Sequence, residues 1–112
     1  MSSITHVFMQ VLDLQRSKAF YESLGLKIVM DEPKYVRLAC ENGFYIGMEQ
    51  RDATEIGGSG IELNIQVDDI DKLYEALSSK DVAFEQKPTD MPWGARHAFL
   101  KDPNGYRVGL YS

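Results

Sequence analysis

The chain has 112 residues, of which 44% are hydrophobic, 26% charged and 11% aromatic; this is enough for one domain with a core and excludes collagenous, low-complexity and wholly disordered chains. A formal net charge of −5 argues against a dedicated nucleic-acid binder, which needs clustered Lys and Arg, and suits a neutral or cationic ligand. No apolar run approaches the ~20 residues of a membrane helix, the start shows no secretion leader, and the single Cys40 fits a reducing cytoplasm.

In chain order, Ile4 to Val11 is β-branched and apolar and predicts a strand. Asp13 is a helix N-cap, because its carboxylate accepts from the free amides of a first turn. Leu14, Tyr21 and Leu24 then share one helical face, and Gly25 stops the helix. Leu26 to Met30 and Tyr35 to Cys40 predict strands, with Cys40 a small core residue. Asn42-Gly43 turns the chain into a partner strand, Phe44 to Glu49.

Residues 51–60 hold three glycines and little apolar content. They read as the stretch between two modules, about 1–52 and 60–112, with the linker at 53–59. Gly57-Gly58-Ser59-Gly60 lacks the lysine and the strand-to-helix setting of a phosphate loop. Ile61 to Val67 is the next strand, and Asp68 or Asp69 caps a second helix. Its stripe Ile70, Leu73, Tyr74, Leu77 has clean helical spacing. Val82 to Glu85 predicts a short strand and Lys87 to Gly94 a loop with two prolines and Trp93. Arg96 to Lys101 and Tyr106 to Tyr111 form a hairpin through Asp102-Pro103-Asn104-Gly105. Gln10-Val11-Leu12-Asp13-Leu14 returns 56 residues later as Gln66-Val67-Asp68-Asp69-Ile70, so the order strand, helix, three strands occurs twice.

These residues carry a resemblance. Thr5-His6-Val7 leading to Leu12-Asp13-Leu14, then Ala19-Phe20-Tyr21 and Leu24-Gly25-Leu26, resembles the first module of the vicinal oxygen chelate superfamily, which joins glyoxalases, extradiol dioxygenases and bleomycin resistance proteins. Val67-Asp68-Asp69-Ile70 resembles the start of its second module. Pro92-Trp93-Gly94 with Asp102-Pro103-Asn104-Gly105-Tyr106 is similar to its bleomycin-resistance-like branch. The resemblance spans nearly the whole chain. It implies an α+β fold: two βαβββ modules forming a curled mixed sheet around a cleft, with helices on the outer face.

Alternation along the strands then sorts the side chains. Val7, Met9 and Val11 face the first helix and leave His6, Phe8 and Gln10 facing the cleft. Leu63, Ile65 and Val67 face the second helix and leave Glu62, Asn64 and Gln66 there. Metal-dependent members of the superfamily bring four ligands into the cleft. By motif, His6 and Glu62 take two of those positions, while Gly47 and Gly109 replace the carboxylates of the other two. Glu49, of the same parity as Gly47, is a substitute donor. At most three donors remain, which weighs against a metal centre, and no other cofactor is implied. His97 has no Ser or Cys nucleophile at a spacing that suggests a triad.

What remains is a binding pocket without a reaction centre. Its expected lining from the first module is His6, Phe8, Gln10, Tyr35, Arg37, Tyr45 and Glu49. From the second it is Glu62, Asn64, Trp93, Arg107 and Tyr111, with no lysine. Aromatic walls with carboxylates suit aromatic or cationic molecules. The reading is a non-catalytic cytoplasmic protein that binds, and sequesters, an antibiotic-like small molecule, in the manner of antibiotic resistance proteins. The alternative is a metal-dependent glyoxalase-type lyase, isomerase or thiol transferase using His6, Glu62 and Glu49. Arg37 and Arg107 are the counterweight: facing the pocket, they favour an anion. Resemblance to small members of the superfamily also implies a homodimer.

Overall fold

One aspartate ahead of each amphipathic stretch sets where a helix starts. In the computed structural model, which describes residues 5–52, 62–92 and 94–112, Asp13 has extended backbone and its carboxylate accepts from the Arg16 amide at 3.2 Å. Asp69 accepts from the Lys72 amide at the same distance. The chain divides into two compact units, Met1–Gly57 and Gly58–Ser112. The expected linker, 53–59, lies outside the described residues.

Unit 1 runs β1 (His6–Val11), α1 (Leu14–Ser23), β2 (Lys27–Asp31), β3 (Tyr35–Ala39), β4 (Tyr45–Gln50). Its sheet has the order β1-β4-β3-β2, with β1 and β4 parallel and the other pairs antiparallel. The parallel pair follows from the helix, which carries the chain back before it re-enters the sheet. Leu14, Ser17 and Tyr21 of α1 are buried, and the helix packs on β3 and β4. With Met9, Val11, Val36, Leu38, Ile46 and Met48 they make the core. The Leu14 amide donates to Gln50 Oε1 at 3.2 Å, which ties the helix start to β4.

Unit 2 repeats the plan with β5 (Glu62–Gln66), α2 (Ile70–Ser78), β6 (Phe84–Asp90), β7 (Arg96–Lys101), β8 (Arg107–Tyr111), in the order β5-β8-β7-β6. Again the first and last strands are parallel. Ile70 and Leu77 of α2 are buried with Ala98, Leu100, Val108 and Leu110. Arg96 clamps helix to sheet, bonding Asp71 at 3.0 Å and Asp90 at 3.1 Å; these bonds hold its guanidinium protonated even more firmly than usual. The two βαβββ units, each a four-stranded mixed sheet, are the expected α+β architecture. Among the described residues no helix is long and apolar enough to cross a membrane.

Two expectations change. The loop expected over 87–94 begins later, because β6 continues to Asp90 through Pro88. The register slips between Gln86 and Thr89, so Pro88 sits at an irregularity on an edge strand, where a missing amide breaks no ladder. Cys40 is half-buried rather than core. It opens the β3–β4 turn, its amide donating to the Phe44 carbonyl at 2.9 Å, and partial burial raises its thiol pKa.

The helix stops show the repeat in atomic terms. Gly25 has φ +102° after α1, and 56 residues later Asp81 has φ +63° after α2. The amides of Leu26 and Val82 return to the carbonyls of Tyr21 and Leu77, at 3.3 and 3.1 Å. An L-residue in the left-handed region is strained where glycine is not. Asp81→Gly is therefore expected to stabilise unit 2 by about 0.5–1 kcal/mol, the relief of left-handed strain less glycine's entropic cost, read as a higher urea midpoint; a lower midpoint contradicts the assignment.

Candidate functional site

Each sheet buries one face under its helix and leaves the other open. On the open face of unit 1 the register sets three rows across β1, β4 and β3: His6–Tyr45–Ala39, Phe8–Gly47–Arg37 and Gln10–Glu49–Tyr35. All seven residues expected from the first module thus share one face. Unit 2 has the matching rows across β5, β8 and β7: Glu62–Arg107–Lys101, Asn64–Gly109–Phe99 and Gln66–Tyr111–His97. Glu62, Asn64, Arg107 and Tyr111 lie together there, and Trp93 is outside the described residues. A glycine stands at the centre of both patterns.

Neither glycine leaves an empty place. A Cβ built on Gly47 would lie 2.5 Å from Tyr35 Oη. A Cβ on Gly109 would overlap Asn64 Oδ1 and stand 3.1 Å from Phe99 Cε1. Tyr35 and Asn64 therefore fill the space from which a longer side chain would grow.

Tyr35 is held there by Arg37, whose Nε donates to Tyr35 Oη at 2.9 Å. The guanidinium also lies over the Tyr45 ring, 4.9 Å from its centroid, and 5.5 Å from that of Tyr35. The hydrogen bond first, and the two tyrosines next, raise the pKa of Arg37. His6 stacks on Tyr45 with centroids 4.6 Å apart and planes 1° from parallel. Its Nδ1 is 2.9 Å from Thr5 Oγ1. Phe8 is 49% exposed, an unusual state for a phenylalanine with no side chain opposite it on β4.

In unit 2 the charges are answered locally. Glu62 pairs with Arg107 at 3.1 Å and accepts from Asn64 Nδ2 at 3.1 Å. Arg107 covers the Phe99 ring at 4.4 Å, and His97 stacks on Phe99 and Tyr111. In unit 1 Glu49 pairs with Arg51 at 3.1 Å.

The expected lining omitted His97, Phe99 and Lys101. Their alternation with the buried Ala98 and Leu100 was the available signal. Lys101, opposite Arg107, also corrects the expectation of a face without lysine.

The metal centre that the superfamily's metal-dependent members would imply does not fit these residues. Two of the four positions are glycines whose surroundings are filled by a phenol and an amide. Glu62 is engaged by an arginine and an asparagine, and Glu49 by an arginine. Among the described residues, no three His, Cys, Asp or Glu side chains converge.

Comparison with known proteins agrees with this architecture. The sequence profile of the Glyoxalase/Bleomycin resistance protein/Dioxygenase superfamily matches residues 3–110. The uncharacterized protein YraH of Bacillus subtilis is 31% identical over 116 aligned positions, covering 90% of this chain and 91% of YraH. A crystal structure of a superfamily member from Sphaerobacter thermophilus is 25% identical, with a TM-score of 0.77 over 99% of this chain and 97% of that one. Lactoylglutathione lyase from Agrobacterium tumefaciens, 20% identical, has the same fold, with a TM-score of 0.77 over 99% and 93% of the two chains. With its duplicated βαβββ units and a profile match over nearly its whole length, the chain belongs to the glyoxalase/bleomycin resistance protein/dioxygenase superfamily.

Proposed function

We propose that this protein binds a small aromatic molecule on its open sheet faces and does so without a metal ion. The observation that carries the reading is the glycine-centred row in each sheet. Where the resemblance calls for a carboxylate donor there is Gly47 or Gly109, and a neighbouring polar side chain already occupies the place. Half-buried or exposed rings accompany those rows, Phe8, Tyr35 and Tyr45 in one unit and His97 and Tyr111 in the other. Such rings give contact area at small entropic cost.

The geometry weakens the argument for a cation. Glu62 and Glu49, which were to attract one, each sit 3.1 Å from an arginine. Aromatic surface is the feature that survives in both units.

Elemental analysis after purification without chelator is expected to find zinc, nickel and manganese far below one ion per chain. EDTA-treated protein is expected to bind saturably at least one of three matched two-ring probes, 2-naphthoate, 2-naphthamide and 2-naphthylmethylamine, by isothermal titration calorimetry. Stoichiometric metal, or binding that requires added zinc, overturns the reading in favour of a metal-dependent enzyme.

A further inference from the structure

Arg37 stands in the middle row of the unit 1 face, beside Gly47, and among the described residues no carboxylate pairs with it. The other arginines of the sheets are answered: Arg96 by Asp71 and Asp90, Arg107 by Glu62. We propose that the open face of unit 1 is an anion site, which takes the carboxylate of a planar aromatic acid on the guanidinium of Arg37 and its ring against Phe8. The proposal rests on the small-molecule reading above and names its ligand class.

Three observations carry it. The guanidinium is pre-oriented, because Nε is committed to Tyr35 Oη at 2.9 Å while the Tyr45 ring lies beneath at 4.9 Å. Neither Nη is engaged among the described residues. A fixed guanidinium with two free terminal nitrogens matches the two oxygens of a carboxylate, and the fork loses little entropy when it closes.

Second, Gly47 makes this arrangement possible. A side chain there would meet Tyr35 Oη and push away the group that orients Arg37. Where the resemblance implies a carboxylate, the glycine leaves room for Tyr35 and, through it, for a fixed positive charge.

Third, the same row supplies the apolar half of the site. Phe8 on β1 and Arg37 on β3 stand in one row on either side of Gly47, two strand spacings apart at the backbone, and the guanidinium reaches back over β4 to Tyr35 and Tyr45, toward Phe8. Phe8 is half-exposed and has no side chain opposite it on β4 to cover it. Glu49 in the adjacent row would repel an anion, but Arg51 sits 3.1 Å from it.

The test uses the same calorimetric panel on EDTA-treated protein. 2-Naphthoate is expected to bind at least about tenfold tighter than 2-naphthamide, since a hydrogen-bonded charge is at stake. Arg37→Gln is expected to weaken the acid roughly ten- to hundredfold and to leave the amide within about twofold. Arg37→Lys keeps the charge without the fork and should fall between them. Thermal unfolding checks that the variants are folded; should Arg37→Gln not fold, the acid-to-amide ratio and Arg37→Lys decide. If acid and amide bind equally, or the amine binds tightest, the anion site is wrong while small-molecule binding stands. If no probe binds, the small-molecule reading fails and takes the anion site with it.

Discussion

Asp102→Ala is expected to destabilise the protein by about 2–4 kcal/mol, among the largest single-residue effects outside the apolar core. Asp102 is only 5% exposed. Its carboxylate accepts from the amides of Asn104 at 2.9 Å and Tyr106 at 2.8 Å, and from Asn104 Nδ2 at 3.2 Å. Its own amide donates to the Tyr106 carbonyl at 2.9 Å, and the Gly105 amide returns to its carbonyl at 3.0 Å. The side chain therefore closes the β7–β8 turn from within. Alanine leaves those amides without an acceptor in a partly buried place, and each such loss costs more than the bond itself contributed. Asp102→Asn keeps one acceptor oxygen and should lose about half as much. Urea denaturation reads both, as a falling midpoint at unchanged slope. A midpoint for Asp102→Ala within error of the unaltered protein would remove this account of the turn.

The second large effect concerns Gly109. Gly109→Val is expected to cost about 1–3 kcal/mol, and Gly47→Val clearly less. Both new side chains collide, but with different neighbours. At Gly47 the obstacle is the far end of Tyr35, which can swing outward at the expense of its bond from Arg37. At Gly109 the obstacles are Asn64 and the edge of Phe99, a ring only 7% exposed that Arg107 covers and His97 stacks against. A buried ring so held cannot give without moving its neighbours, and overpacking a close-packed site is destabilising. The order of the two variants in urea denaturation is the test. If Gly47→Val proves the more damaging, the two rows are not packed as described.

Much of this was legible in the residues. Alternation alone sorted His6, Phe8 and Gln10 from Val7, Met9 and Val11, because a strand's side-chain period is two whatever surrounds it. Asp13 and Gly25 marked the ends of α1 because cap chemistry is local. What the sequence hid depends on register between strands distant in the chain. The reach of Tyr35 over Gly47 needs β3 paired with β4, and the Glu62–Arg107 bond needs β5 beside β8. The repeat was also half hidden. Its offset is 56 residues through the second helix but 62 in the last two strands, where Gly47 meets Gly109, because β6 and the loop after it are longer than their counterparts. Cys40 illustrates the consequence. At the larger offset it corresponds to Asp102, a residue that opens a turn, and not to a core position.

Pro88 carries a consequence beyond local geometry. A terminal strand offers a row of unsatisfied amides and carbonyls to any other extended chain, which is how sheets recruit strangers and aggregate. In its own sheet β6 is such a strand, with β7 on one side only. Pro88 has no amide to donate, and the register slips between Gln86 and Thr89 around it. Three charged side chains, Glu85, Lys87 and Asp90, flank the interruption. The proline that a sequence reading takes for a loop residue thus interrupts the margin of a seven-residue edge strand, and such interruptions make an edge a poorer template for a second strand.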